Sequence, residues 1–209
     1  MLISVVRHAE SLGNAGLSSD TDPLLSPRGV EQARRLAERL AGEGVTHVWA
    51  SPFRRAIVTA GFVAERAGLP VLLEPGMCEH YIYEDFRDYS PPKLAALARE
   101  FDFVRLRRGA GTGPWTPEFP EPWERLLVRT AKVAKKALRL RRAPGERGRV
   151  HLVVVGHGAS VKGLLCTLFG RAIAPEVLTP NAALSRARVD GALPGKELLF
   201  CDASHLSGL

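Results

Sequence analysis

The chain has 209 residues, of which 45% are hydrophobic and 24% are charged, and its formal net charge is +7 at pH 7. This composition is typical of a globular protein with a hydrophobic core, and the length suits one domain with or without an insertion. No run of 18 apolar residues occurs, so we expect no membrane span. With no signal-peptide pattern at the N-terminus and three scattered cysteines, we expect a cytoplasmic protein.

The positive charge admits nucleic-acid binding, a basic surface or a pocket for anions. The sequence contains no aromatic RNA-binding motif, no helix-turn-helix pattern beyond chance and no zinc-finger spacing. Charge alone is weak support for nucleic-acid binding. We therefore expect no nucleic-acid partner and no metal site built from cysteines.

Strands and helices alternate in the first third of the predicted structure. Leu2–Val6 is an apolar run that predicts a buried strand, and Ser26-Pro27 is typical of a helix start. That helix carries an apolar stripe and ends near Gly42. A strand over 45–50, a helix over 53–67 and a short strand over 69–73 follow.

The remainder of the chain continues the alternation after an irregular segment. We predict an insertion or lid at about 76–120, with one helix near 91–101 and a Gly/Pro-rich loop over 109–122. After it come a long helix over 122–142, a strand over 150–155, a helix over 159–169, and a terminal hairpin of strands 184–189 and 197–200. The prediction is an α/β fold: a three-layer sandwich with a mostly parallel central sheet flanked by helices, forming a single domain over 1–209.

Polar side chains follow two of the predicted strands directly. The first strand ends in Arg7, His8 and Glu10, with Asn14 shortly after, and a later strand ends in Gly156-His157-Gly158. Ligands of open α/β sheets collect at the carboxyl ends of strands, so we expect the two histidines to share one site. Free N–H groups at the following helix start favour an anion there.

Two further strand ends add charged candidates. Arg54 and Arg55 begin the helix after the second strand, and Glu79 follows the third strand. Arginine at a helix N-terminus is again suited to an anion.

These residues carry a family resemblance. Arg7-His8-Ala9-Glu10-Ser11-Leu12-Gly13-Asn14 resembles the Arg-His-Gly-Glu-Thr-x-x-Asn signature of the histidine phosphatase superfamily, the phosphoglycerate mutase-like proteins. Further segments resemble later family motifs in the same order: Leu25 to Ala33, Ser51 to Ala60, Val155 to Gly158, and Asn181 to Ser185. The second of these aligns Arg55, rather than Arg54, with the family's phosphate-binding arginine. The matches span nearly the whole chain.

The resemblance implies a phosphomonoester hydrolase that acts through a phosphohistidine. His8 is then the nucleophile, and Glu79 protonates the leaving oxygen and later activates water. The groups implied to surround the phosphoryl oxygens are Arg7, Asn14, Arg55, His157 and Gly158. Cationic side chains take the place of a metal, so neither a metal nor a cofactor is implied.

Some assignments remain open in the sequence. The family's Gly-x-x-Glu-Gly pattern does not continue after Glu79, which leaves Glu84 and Asp85 as rival acids. Glu10 is interpreted as a residue that orients its loop or pairs with a basic residue, and Arg54 as one that is solvated or pairs with a surface carboxylate.

The substrate and the exact reaction also remain open. One alternative is a cofactor-dependent phosphoglycerate mutase, and another is a non-catalytic module that holds phosphate or nucleic acid. One hypothesis is that basic residues of the lid, together with Trp115, face the site and select polyanionic phosphoesters. A solvated basic surface explains these residues equally well. They are Arg87, Lys93, Arg105, Arg107 and Arg108. The oligomeric state is open, with a homodimer as one arrangement.

Overall fold

A seven-stranded mixed sheet runs through the residues that the computed structural model describes, which are 1–106, 114–141 and 148–209. The strands lie in the order β4-β3-β2-β5-β1-β6-β7. The first five strands in this order pair in parallel, and β6 and β7 pair antiparallel at one edge. The strands are β1 (Leu2–Arg7), β2 (His47–Ala50), β3 (Val71–Leu73), β4 (Val104–Arg105), β5 (His151–Gly156), β6 (Leu184–Arg188) and β7 (Lys196–Asp202).

Helices cover both faces of this sheet. The five α-helices in the described ranges are α1 (Pro27–Leu40), α2 (Arg54–Ala67), α3 (Leu94–Glu100), α4 (Trp123–Ala137) and α5 (Gly158–Phe169). Apolar residues of α1, α2 and α3 form one core with the sheet, while those of α4 and α5 form a second core on the opposite face. The predicted three-layer α/β sandwich is confirmed.

The central strands β1 and β5 are apolar runs in the sequence because helices cover them on both faces. Val5 and Val154 lie in one core, while Val6 and Val155 lie in the other. A parallel strand covered by helices on both faces must be apolar at successive positions. The pairing of β1 with β5 therefore fixes both strand ends at the same edge of the sheet.

The first helix begins as its sequence predicts. The Ser26 hydroxyl accepts a hydrogen bond from the Gly29 N–H at 3.0 Å, and Pro27 is the first helical residue. A Cβ atom on Gly29 would lie 1.9 Å from the carbonyl oxygen of Glu10, so only glycine allows α1 to pack this closely on the loop after β1.

The structure differs from the prediction in three elements. Helix α4 ends at Ala137 rather than at 142, because the chain turns there so that Leu138 and Leu140 pack against the second core. Helix α3 begins at Leu94 because the two prolines before it favour extended backbone. The two-residue strand β4 is too short to produce a sequence pattern. Parts of the predicted helix over 122–142 and loop over 109–122 lie outside the described residues.

Within residues 1–106, 114–141 and 148–209, no helix combines the length and the apolar character that crossing a membrane requires.

Candidate active site

The two strand-end histidines lie side by side. Arg7 pairs with Gly156 at the ends of β1 and β5, and the His8 N–H donates to the Gly156 carbonyl at 2.8 Å. The ring centroids of His8 and His157 are 5.1 Å apart, and both side chains are buried. The two histidines at the ends of these strands are therefore adjacent, as a shared site requires.

The His8 ring is held in one tautomer. Its Nδ1 lies 2.7 Å from the carbonyl oxygen of Ala9, which can only accept, so Nδ1 carries the proton. Burial lowers the pKa of His8 well below its usual 6.5, and the guanidinium groups of Arg55 and Arg7 lower it further. His8 is therefore a neutral imidazole whose Nε2 has a free lone pair.

Ser51 orients the second histidine. Its hydroxyl oxygen lies 2.8 Å from His157 Nε2 and accepts from the Phe53 N–H at 3.4 Å. Glu79 Oε2 lies 3.4 Å from His157 Nδ1, so a proton on Nδ1, with the Ser51 hydroxyl donating to Nε2, fits both neighbours of the ring. Burial, followed by the charge of Arg55, holds the pKa of His157 well below its usual value.

Arg55 is fixed in the first turn of α2. Its Nη1 donates to the Thr21 carbonyl at 3.1 Å and lies 3.5 Å from Asp22 Oδ1, and its guanidinium stands 4.6 Å from the centre of the Phe53 ring. Burial raises the pKa of Asp22 to about 6, against the opposing charge of Arg55. These contacts hold a buried guanidinium beside the histidines.

Arg7 approaches from the end of β1. Its Nη1 donates to the Thr179 carbonyl at 2.7 Å. In the described part of the chain, neither Arg7 Nε nor His157 Nδ1 has a hydrogen-bond partner, although both are buried. Buried polar atoms of this kind call for an explanation, and an anionic ligand between them supplies one.

Glu79 completes the cluster. Its Oε1 accepts from the His80 N–H at 2.9 Å, while its Oε2 lies 3.4 Å from His157 Nδ1 and 3.7 Å from Arg55 Nη2. The rival acids lie elsewhere: Glu84 pairs with Arg87 on the surface, and Asp85 is exposed. Of the three carboxylates left open by the sequence, the structure brings Glu79 to the histidines.

The neutral donors lie at the edge of this cluster. Gly158 is the first residue of α5 and lines a cavity together with Arg7 and Glu79. Asn14 is exposed, and its Oδ1 accepts from the Asn181 amide at 3.3 Å. The same Asn181 amide donates to the His8 carbonyl at 2.9 Å, so it ties Asn14 to the loop that carries His8.

The cluster could hold a metal by geometry, but its charges favour an anion. One donor atom each from His8, Glu79 and His157 lie within 4.8 Å of one another. Arg7 and Arg55 stand beside them, and their charges lower the pKa of both histidines. The same field repels a cation and attracts a phosphate.

Two nearby residues have the structural roles that the sequence suggested. Glu10 accepts a hydrogen bond from the Ser26 hydroxyl at 2.7 Å and so fixes the start of α1. Arg54 donates twice to Glu100, at 2.7 and 2.8 Å.

Several supporting residues were missed as members of the site. Ser51, Thr59 and Asn181 lie within the motifs that carry the resemblance, so their position was a usable signal. The Thr59 hydroxyl accepts from the Ala9 N–H at 3.0 Å and holds the loop after β1. Asp22, which lies beside Arg55, is outside these motifs, so nothing in the sequence indicated its position.

The described basic residues of the lid do not line the cavity beside the site. Arg87 pairs with Glu84 and lies over the Phe119 ring, and Arg105 donates to backbone carbonyls of its own segment. Lys93 also lies outside that cavity. Trp115 is buried against the Phe53 ring. Arg107 and Arg108 lie outside the described residues, so the hypothesis of a polyanion-selecting lid depends on them.

The fold is an α/β sandwich, and at one edge of its sheet two histidines, two arginines and a glutamate lie together. The chain belongs to the histidine phosphatase superfamily (branch 1), whose family model matches residues 3–200. A probable phosphoglycerate mutase GpmB from Erwinia tasmaniensis is 35% identical over 170 residues, which cover 80% of this chain and 74% of the relative.

Solved structures confirm the fold. YhfR from Bacillus stearothermophilus superposes with a TM-score of 0.69 at 20% identity, with 99% of each chain covered. A mutant phosphoserine phosphatase from Entamoeba histolytica in complex with phosphoserine gives a TM-score of 0.65 at 20% identity, with 98% of each chain covered.

Proposed function

We propose that this chain is a metal-independent phosphomonoester hydrolase that acts through a phosphohistidine on His8. The observation that carries the proposal is the state of His8, a neutral imidazole with its proton on Nδ1 that lies beside His157 and Glu79 and in the field of Arg7 and Arg55. A neutral imidazole with a fixed tautomer is a competent nucleophile at ordinary pH.

The first step forms a bond between His8 Nε2 and phosphorus and breaks the bond to the leaving oxygen. The electron pair of that bond stays on the leaving oxygen, which takes the proton of the Glu79 carboxyl group. Arg7, Arg55 and the Nδ1–H of His157 neutralise charge on the phosphoryl oxygens. The products of this step are an alcohol and a phosphohistidine.

The second step releases phosphate. The Glu79 carboxylate takes a proton from water, and the water oxygen bonds to phosphorus while the P–N bond breaks. The electron pair returns to His8 Nε2, and Glu79 is again protonated. Glu79 suits both steps because its Oε2 is close to His157 Nδ1 and Arg55 Nη2, the donors that hold the phosphoryl group in this mechanism.

A phosphoglycerate mutase is the second candidate, because curated relatives carry that name. A mutase returns the phosphoryl group from histidine to a second position on the substrate, whereas a hydrolase passes it to water. The phosphoserine phosphatase among the structural relatives supports hydrolysis as a chemistry that this fold can accommodate.

The preference for polyanionic substrates stays a sequence prediction that depends on Arg107 and Arg108, outside the described residues, and it is the alternative to the apolar preference proposed below. Charge reversal at both positions that left the ranking of substrates unchanged would count against it.

The test is phosphate release from 4-nitrophenyl phosphate in EDTA, together with interconversion of 3-phosphoglycerate. We expect steady phosphate release that His8→Ala abolishes, and a phosphorylated His8 in rapidly quenched samples. His47→Gln, at the opposite end of β2, is the control and should retain full activity. Interconversion faster than phosphate release would favour the mutase, and no turnover of either substrate would favour a non-catalytic phosphate-binding module.

A further inference from the structure

A cavity of about 470 Å³ adjoins the proposed phosphate site, because Arg7, Glu79 and Gly158 are among its lining residues. Most of its other lining residues come from the segment after Glu79 and from the loop that ends at Thr179. In the mechanism above, the leaving oxygen points toward Glu79. The organic part of the substrate therefore lies in this cavity, which is in the size range of small-molecule sites.

The walls of this cavity are apolar and exposed. Leu178 is 86% exposed, Tyr83 is 59% exposed and Ile82 is 46% exposed, and all three line the cavity with the half-buried Trp123. Large apolar side chains gathered in one exposed patch mark a binding surface. Aromatic and branched walls are suited to a flat or branched apolar group.

The charges of the cavity offer little net attraction for an anionic leaving group, because one lysine is opposed by one carboxylate outside the catalytic residues. Besides Arg7, Lys162 is the cation among its lining residues, and its ammonium group donates to the carbonyls of Pro175 and Val177. Burial, followed by the charge of Arg7, lowers the pKa of Lys162. Glu176, also in the lining, repels a carboxylate.

We propose that this cavity binds the leaving group and selects phosphomonoesters of uncharged, apolar alcohols or phenols over those that carry a carboxylate. The proposal rests on the hydrolase function and names its substrate class. With the phosphoryl group on Arg7 and Arg55, a second anionic group would meet Lys162, which already donates to two backbone carbonyls, and the opposing carboxylate of Glu176.

The test compares 4-methylphenyl phosphate with 4-carboxyphenyl phosphate, which are similar in size and differ by one carboxylate. We expect kcat/KM to be on the order of 10-fold higher for the methyl compound, mostly through KM. The double variant Tyr83→Ser/Leu178→Ser should remove most of this preference, and Glu176→Gln should raise kcat/KM for the carboxylate compound. Both serine substitutions are at exposed positions, so thermal unfolding should change little.

Leu198→Ser on β7 is the matched control, because Leu198 is 40% exposed and lies outside the cavity. It should leave the preference unchanged. A kcat/KM for the carboxylate compound that equals or exceeds that for the methyl compound would overturn the proposal. So would a double variant that keeps the higher kcat/KM for the methyl compound. Turnover of neither compound would instead refute the hydrolase function, and the substrate class with it.

Discussion

Replacing Arg129 with methionine should both destabilise the chain and impair its chemistry. Arg129 lies on α4 and donates to both carboxylate oxygens of Glu121, at 2.6 and 2.8 Å. It also donates to the carbonyls of Gly76, Cys78 and Glu79, at 2.9, 3.0 and 2.9 Å. One largely buried side chain therefore holds the backbone of the segment that presents the proposed acid.

The expected loss of stability follows from what Arg129→Met leaves behind. The Glu121 side chain is 1% exposed, so it would become a buried carboxylate without its cation. Breaking a buried pair on one side costs about 3–5 kcal/mol in the free energy of unfolding. Arg125→Met on the same helix is the control: Arg125 and Glu118 are 69% and 87% exposed, and such pairs contribute roughly 0–1 kcal/mol.

Urea denaturation of both variants measures this difference. The double variant Glu121→Gln/Arg129→Met should recover part of the loss, because it leaves no unpaired buried charge. If Arg129→Met unfolds with the same free energy as Arg125→Met, the buried pair does not have the role described above.

The kinetic effect separates positioning from stability. A displaced Glu79 should lower kcat by on the order of 100-fold for alkyl phosphates, with a smaller change in KM. Aryl phosphates, whose leaving oxygen needs less protonation, should lose less. An equal loss for both substrate types, in a variant still folded under the assay conditions, would refute a positioning role for Arg129.

Three further predictions concern Glu79, the packing of α1 on the loop after β1, and the two histidines. Glu79→Gln should lower kcat/KM by about 10²–10⁴-fold for alkyl phosphates and by less for aryl phosphates, measured over a series of leaving groups. Gly29→Ala should lower the free energy of unfolding by about 1–3 kcal/mol in urea denaturation, because its Cβ would lie 1.9 Å from the Glu10 carbonyl oxygen. Burial and neighbouring arginines hold the pKa of His8 and His157 below 6.5, so at lower pH the unfolded chain binds protons that the folded chain does not. The free energy of unfolding should therefore fall as pH drops below 6.5, by up to about 1.4 kcal/mol per pH unit for each histidine. Urea denaturation at pH 5.5, 6.5 and 7.5 measures this dependence. A His8→Asn/His157→Asn variant should lose less free energy of unfolding between pH 6.5 and 5.5 than the unmodified chain.

The histidine pair was predictable because each member directly follows a strand that the sequence marks clearly. Val5 and Val6, like Val154 and Val155, are consecutive apolar residues in strands buried on both faces. Parallel neighbours end at one edge, so finding the strands also located His8 and His157 at a shared site. Arg55 was predictable for the same reason, since it stands in the first helical turn after β2.

Glu79 was harder to predict because no regular element presents it. It follows β3 through a short 3₁₀ turn over Pro75–Met77, and Glu84 and Asp85 stand nearby in the sequence. The local sequence pattern cannot distinguish these carboxylates, since all three lie in the same irregular segment. What distinguishes them is a contact from Arg129, which reaches the Glu79 carbonyl across 50 residues of sequence.

The same reasoning separates the reaction from the substrate. The groups proposed to bind the phosphoryl group come from strand ends and helix starts, whose positions the hydrophobic pattern indicates. The groups that would contact the leaving group, such as Tyr83 and Leu178, come from segments outside strands and helices, where no periodicity reveals which face a side chain occupies. Lys162 shows the difficulty: its charge suggests an anion site in the sequence, yet in the fold it donates to the carbonyls of Pro175 and Val177. A basic residue count therefore says little about the substrate until the partners of each cation are known.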